Sequence, residues 1–169
     1  MENRKLKLAA LVCCVLWPAS GFAIHAQDTK GSEKMPVQGI AKGTFDVKIA
    51  PVETAHKEEK GIARYSLDKV YHGDLEGTGV GEMLASMGTV KTSGTYVAME
   101  VVSGKLTGKK GTFALGHIGT MQGGKQDLSI NVVPDSGTGE LAGISGKLNI
   151  IIGPDGKHSY EFEYKIEKQ

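Results

Sequence analysis

The chain of 169 residues is long enough for one domain, and its 20 basic residues nearly balance its 19 acidic residues. No basic cluster stands out, so we expect neither nucleic acid nor an anionic membrane surface as a partner. Both cysteines, Cys13 and Cys14, lie near the N-terminus, so the rest of the chain must be stabilised by its core and not by a disulfide bond.

The N-terminal segment has the three parts of a secretory signal. The basic stretch MENRKLK precedes the apolar stretch LAALVCCVLWPASGFAI, and small residues follow at spacings that a signal peptidase accepts. The apolar run is short for a bilayer span, which needs roughly 20 residues. We therefore expect residues 1–26 to be a cleaved signal peptide. The mature protein would be periplasmic or extracellular, without stable membrane insertion.

Two regions remain after that cleavage. Residues 27–41 are polar and contain one proline and two glycines, which predicts a flexible leader. Removing Arg4, Lys5, Lys7 and Glu2 with the signal leaves the remainder with a formal net charge of −1. Residues 42–169 are predicted to form the single folded domain.

In this domain, segments that alternate between apolar and polar residues are separated by short turn signals. The segments are GTFDVKI, IARYSLDKVY, GEMLASMG, GTYVAMEVVSGKL, GTFALGHIGTM, QDLSINVV, GKLNIII and HSYEFEYKI. GPDG at 153–156 and PDSG at 134–137 are hairpin signals, and TGKKG and QGGK are plausible hairpin tips. About eight strands with such links predict an all-β antiparallel meander. Closure into a small barrel would remove its exposed edges.

A glycine pattern recurs in HGDLEGTGVGEM, SGKLTGKKGTF and TGELAGISGKL. The first of these resembles a phosphate-binding loop, but Glu82 stands where such a loop needs Lys followed by Ser or Thr. Glycine in a sheet commonly marks a bend or a close backbone approach. We therefore expect Gly77, Gly108 and Gly143 to lie at bends between strands and to serve the shape of the barrel.

The stretches HGDLEGTGVGEML, YVAMEVVSGKLTGKKGTFALGHIGTM, VVPDSGTGELAGISGKL and HSYEFEY carry a family resemblance. Over about residues 41–166, the chain resembles an uncharacterised family of small bacterial proteins known as a domain of unknown function. The resemblance implies a small antiparallel barrel similar to allene oxide cyclase and dirigent proteins, with no assigned activity. Many relatives look cytoplasmic, so the signal peptide is a departure from the family.

His117 is the first candidate site residue. In TFALGHIGTM it shares one face of the predicted strand with Phe113, Leu115 and Met121, which predicts a position inside the barrel. Three interpretations remain: a core histidine with both nitrogens hydrogen-bonded, a strand whose faces are assigned the wrong way round, or a polar group that serves a ligand. In the last case it acts as a general acid or base, or as a ligand-orienting donor.

Glu100 interrupts the apolar run YVAMEVV. Val97, Met99 and Val101 form the purer apolar face, so the simple interpretation places Glu100 outside the barrel. If the barrel holds a cavity, the opposite face with Tyr96 and Glu100 could line it, and burial would raise the pKa of the carboxyl group.

The last strand contributes further candidates. Tyr160, Phe162 and Tyr164 are predicted to point inward, and Glu161 and Glu163 outward. Glu76 and Glu82 are predicted to face solvent, although either could reach the barrel mouth. The candidate ligand-binding residues are His117, Tyr96, Glu100, Tyr160 and Phe113.

No motif indicates a cofactor or a metal site, since the histidines are scattered and GISGK lacks the nucleophile elbow of serine hydrolases. Three functions remain: a module that binds a small hydrophobic molecule, which we favour, a cyclase or isomerase, and a structural homo-oligomer with a filled barrel. A roomy interior that is wholly apolar would favour the binding module. A roomy interior with a buried His or Glu would favour the cyclase or isomerase. A filled interior favours the third.

Overall fold

The structure is a computed structural model that describes residues 35–53 and 61–167. These residues form eight strands and one short 3-10 helix. Their bounds are β1 Val37–Val52, β2 Ala63–Gly73, β3 Leu75–Met87, β4 Gly94–Leu106, β5 Lys109–Gln122, β6 Lys125–Val132, the 3-10 helix Gly139–Leu141, β7 Ile144–Ile152 and β8 His158–Ile166. Within the described ranges, no helix is long and apolar enough to cross a bilayer.

The strands form one closed antiparallel barrel in chain order, which confirms the predicted fold class. Each strand pairs with the next, and β8 returns to pair with β1 from Ile166 opposite Val37 to His158 opposite Phe45. Only one position is paired between β6 and β7, Asn131 with Lys147. Closure pairs backbone N–H and C=O groups that the two edge strands of an open sheet would leave exposed.

Side chains alternate between the interior and the solvent along each strand. On β8, Tyr160, Phe162 and Tyr164 are buried while Glu163 is exposed, so the predicted inward aromatic face is confirmed. On β4 the simple interpretation is wrong. Glu100 is completely buried, whereas Met99 is 55% exposed, and the face with Tyr96 and Glu100 is the inner one.

The first strand begins earlier than the sequence suggests. β1 starts at Val37, and Ala41 is fully buried, so residues 37–41 belong to the barrel and not to a flexible leader. The alternation is hard to recognise there because Gly39 faces inward, with the Tyr164 hydroxyl 3.3 Å from where a Cβ would lie. The predicted signal peptide and residues 27–34 lie outside the described residues.

One end of the barrel, which we call the closed end, is filled by aromatic and aliphatic side chains. Phe113 stacks on Phe162 with ring centroids 5.6 Å apart. Leu141 of the 3-10 helix is fully buried and belongs to the same core cluster as these two rings. Burial of each such side chain contributes about 1.5–3 kcal/mol to folding. Phe113 therefore belongs to the packed part of the interior.

The turns agree in part with the sequence. GPDG links β7 to β8, and QGGK forms the tip between β5 and β6, as predicted. PDSG instead leads into the 3-10 helix and not directly into a strand. In TGKKG only Thr107 and Gly108 form the turn, since Lys109 and Lys110 already belong to β5.

The recurrent glycines lie in three different settings. Gly108 is at a hairpin tip with φ +85°, and Gly143 precedes β7 with φ +77°. Gly77 lies inside β3 without a positive φ, so its predicted place between strands is wrong. There a Cβ would lie 2.2 Å from the carbonyl oxygen of Ser103 on β4, which means that Gly77 permits a close backbone approach.

Candidate functional site

A cavity of about 730 Å³ occupies the other end of the barrel, which we call the open end. This volume is within the range of about 300–1,000 Å³ that is common for small-molecule sites. Ile49 and Ile152 at its rim are 50% and 56% exposed, so the cavity opens to solvent. It is lined by Phe45, Val47, Ile49, Leu67, Lys69, Met83, Tyr96, His117, Gln126, Leu128, Ile150, Ile152 and His158.

Three ionisable side chains meet in the interior beside this cavity, and we call them the polar cluster: Lys69 on β2, Glu100 on β4 and His117 on β5. Their exposed fractions are 6%, 0% and 4%. Lys69 Nζ lies 2.6 Å from Glu100 Oε2, and the hydroxyl of Tyr71 donates to Glu100 Oε1 over 2.8 Å. The carboxylate is thus held by two donors from β2, which is separated from β4 by β3.

His117 is close to the same carboxylate but is not in line with it. Its Nε2 lies 3.2 Å from Glu100 Oε2, yet the orientation is not that of a hydrogen bond, and this buried nitrogen has no hydrogen-bond partner among the described residues. Buried polar atoms are almost always paired. The predicted possibility of a core histidine with both nitrogens bonded is therefore wrong.

The electrostatics of Glu100 differ from the expectation. Burial raises the pKa of the Glu100 carboxyl, but His117, Lys69 and Tyr71 together outweigh burial, and the net pKa is lowered. The predicted raised pKa is wrong because the prediction did not include these three partners. Glu100 is an ionised acceptor near neutral pH and not a proton donor.

Two tyrosines near the polar cluster are held in the neutral form. Burial, reinforced by the charge of Glu100, raises the pKa of Tyr71 far above its usual range. Burial alone raises the pKa of Tyr96. Both hydroxyls therefore stay protonated over the physiological range and can donate hydrogen bonds.

β3 makes room for the buried carboxylate with glycines on its inner face. A Cβ at Gly79 would lie 1.9 Å from Glu100 Oε1 and 3.1 Å from Cε2 of Tyr71. At Gly81 it would lie 2.1 Å from the carbonyl oxygen of Met99. Gly79 therefore accommodates the charged side chain of Glu100, and Gly81 permits a close approach of the β4 backbone.

The predicted site residues lie in different environments of the barrel: the cavity wall, the polar cluster, and positions away from the cavity. His117 and Tyr96 line the cavity, and Glu100 lies in the polar cluster beside it. Tyr160 and Phe113 do not line the cavity. The Tyr160 hydroxyl accepts a hydrogen bond from the Leu75 amide over 2.8 Å. Glu76 and Glu82 are exposed, as predicted, and Glu82 pairs with Arg64 on the outer surface.

Sequence reasoning missed Lys69, the partner of Glu100. The signal was present, because Lys69 shares the inward parity of Leu67 and Tyr71 on β2. Lysine in such a pattern is usually assigned to solvent. Its ammonium group also lies over two aromatic rings, with Nζ 5.0 Å from the Phe45 ring centroid and 5.7 Å from that of Tyr71. Gln126 and His158, also missed, add polar groups to the cavity wall.

Within residues 35–53 and 61–167, no group of three His, Cys, Asp or Glu side chains could hold a metal ion. The polar cluster has only two such residues, Glu100 and His117. Its third member, Lys69, is a cation that would repel a metal ion.

Comparison with known proteins places this barrel in a family. Residues 41–164 match the family model described as a protein of unknown function, DUF3224. A crystal structure of a DUF3224 protein of unknown function from Shewanella oneidensis MR-1 is 42% identical, with a TM-score of 0.73, and the alignment covers 79% of this chain and 100% of that one. A search of curated proteins gave no match. The family match over most of the chain and the agreement in sequence and fold lead to one conclusion: the chain belongs to the DUF3224 family.

Proposed function

We propose that this protein binds a small, mainly apolar molecule in the cavity at the open end of the barrel. The observation that carries the proposal is the composition of that cavity, in which aliphatic and aromatic side chains surround a few polar groups. Such a lining is typical of small-molecule sites. A completely filled barrel, the third possibility considered above, does not fit a cavity of about 730 Å³.

A neutral environment-sensitive dye tests the proposal. Val47 faces the cavity and Lys48, its neighbour on β1, faces solvent. We expect Val47→Trp to fill the cavity and weaken dye binding about tenfold or more, whereas Lys48→Trp leaves it unchanged. Equal effects of the two variants, or no dye binding to the wild type, would contradict the proposal.

An enzyme of the cyclase or isomerase type is the second candidate. The buried His117 and Glu100 beside a roomy cavity favour it by the criterion given above. We place it second because the ion pair with Lys69 and the lowered pKa keep Glu100 an acceptor and not a proton donor. A buried histidine beside a carboxylate can take a proton from one carbon of a bound molecule and return it to another. Such a transfer conserves the atoms of the molecule. The resemblance to allene oxide cyclase supports this candidate only through the fold.

The two candidates differ in what happens to the bound molecule. Native mass spectrometry of protein purified from its host should reveal a retained ligand. That ligand is then incubated with fresh protein and analysed by chromatography. An unchanged ligand supports binding alone. Conversion into an isomer that is lost in His117→Gln supports the enzyme.

We also propose that the protein is exported and works outside the cytoplasm. The tripartite pattern of residues 1–26 supports this. Mature protein isolated from cells should begin between about Ile24 and Asp28. Recovery of folded protein that retains Cys13 and Cys14 would contradict export by cleavage.

A further inference from the structure

We propose that the ligand carries an uncharged hydrogen-bond donor, a hydroxyl group, which Nδ1 of His117 accepts within the cavity. This inference rests on the proposed function and specifies the class of ligand: an alcohol or a phenol with an apolar body. It excludes fatty acids and amines as preferred ligands.

The first step of the argument is the position of the histidine proton. Nε2 of His117 is 3.2 Å from Glu100 Oε2. A nitrogen lone pair directed at an ionised carboxylate would be repelled, whereas an N–H group is attracted even when it is out of line. In the neutral form of the ring the proton is therefore on Nε2, and Nδ1 is left as an acceptor.

The second step is the absence of a protein donor for that acceptor. Nδ1 makes no hydrogen bond within residues 35–53 and 61–167, and the ring lines the cavity. Lys69 and the Tyr71 hydroxyl both donate to Glu100, so these two groups do not serve Nδ1. A ligand hydroxyl in the cavity can donate to an acceptor on this ring.

The third step is charge. Lys69 and Glu100 form a buried ion pair at 2.6 Å, so with a neutral histidine the polar cluster has no net charge. A ligand carboxylate would meet Lys69, whose charge is already paired with Glu100, and a ligand ammonium group would be repelled by Lys69. Either would lose its hydration without gaining an unpaired counter-charge. An uncharged head avoids this penalty.

A matched series of ligands tests the inference: 1-nonanol, its methyl ether, nonanoate and nonylamine, measured by isothermal titration calorimetry. We expect the wild type to bind the alcohol about tenfold more tightly than the ether, which cannot donate. The two charged compounds should bind more weakly than the alcohol. In His117→Phe the preference for alcohol over ether should fall below about threefold while the ether still binds. His72→Phe removes an exposed histidine that does not line the cavity; it is the matched control and should keep the preference.

The outcomes separate this inference from the proposed function. Failure of all four compounds to bind would contradict the cavity function itself. Binding of the ether as tightly as the alcohol, or an alcohol preference that persists in His117→Phe, would overturn only the inference. If His117→Phe does not fold, nitrogen NMR of the wild-type imidazole decides. A proton on Nε2 and a shift of Nδ1 upon addition of 1-nonanol support the inference, and a proton on Nδ1 overturns it.

Discussion

At the residue scale, the central feature is an ionised carboxylate in the barrel interior. Glu100 is held by Lys69 at 2.6 Å and by Tyr71 at 2.8 Å. The ion pair costs desolvation energy, so it is weak evidence for added stability. Removing only one partner destabilises the folded protein, because the remaining charge is then buried without a counter-charge.

We predict that Glu100→Gln destabilises the protein at pH 7 by about 3–5 kcal/mol, because Lys69 loses its counter-charge. The pKa of Glu100 is lowered in the folded protein from the ordinary value of 4.5. Its stabilising contribution is therefore complete above that value and disappears as the pH falls through the folded pKa. Urea unfolding between pH 7 and pH 3 measures both effects, and the variant should show a smaller loss on acidification.

Glu82→Gln is the matched control, since Glu82 is an exposed carboxylate whose pKa is lowered by Arg64. We expect only a small effect on unfolding, because solvent screens surface pairs. Equal destabilisation by the two substitutions would contradict the special role of the buried pair.

The polar cluster could be predicted only in part. The parity of His117 with Phe113 and Leu115 was sufficient to place it inside. Glu100 was assigned to the outer face, and Lys69 was overlooked. A buried charge is tolerated only beside its partner, and neither residue by itself indicates that such a partner exists. A pattern read one strand at a time cannot reveal that β2 and β4 bring these charges together across the inner face of β3.

At the element scale, β3 is the strand that shapes the site. Gly77, Gly79 and Gly81 occupy its inner face, where the neighbouring strands direct bulky side chains. The alternation of Met83 and Leu84 made the second half of β3 recognisable, but the glycines hid its first half. Most other strands could be predicted because their inward residues are large and apolar.

We predict that Gly79→Ala destabilises the protein by about 1–3 kcal/mol through overpacking. The new Cβ would lie 1.9 Å from Glu100 Oε1, so the carboxylate must move away from Lys69. Gly116→Ala on β5 is the control, since its Cβ would lie 3.8 Å from the nearest atom, the sulfur of Met99. Thermal unfolding measures both, and no loss of stability in Gly79→Ala would refute the role given to this glycine.

At the scale of the whole molecule, the outer surface of β3, β4 and β5 is notable for exposed apolar side chains, which we call the outer apolar strip. Its members are Val80, Leu84, Val97, Met99, Val101 and Ile118, each 47–61% exposed. They are adjacent in register, with Val80 opposite Val101 and Val97 opposite Ile118. Monomeric soluble proteins rarely expose contiguous patches of this kind.

We propose that a second copy of the chain covers the outer apolar strip, in line with the expected homo-oligomer. Met99→Lys should then shift the mass measured by light scattering towards that of the monomer. Lys105→Met, on the outer face of the same strand but beyond the strip, should not lower it. A wild type that is monomeric at all concentrations tested would contradict this prediction.

The central claim is that a ligand enters the barrel and does not bind to its outer surface. Methyl NMR of the wild type with 1-nonanol tests this most directly, because methyl groups report on both faces. We expect the signals of Val47, Leu67 and Ile150, which line the cavity, to shift in a saturable manner. Those of Val80, Val101 and Ile118 should remain unchanged. Shifts confined to the outer residues, or no shifts at all, would contradict the account.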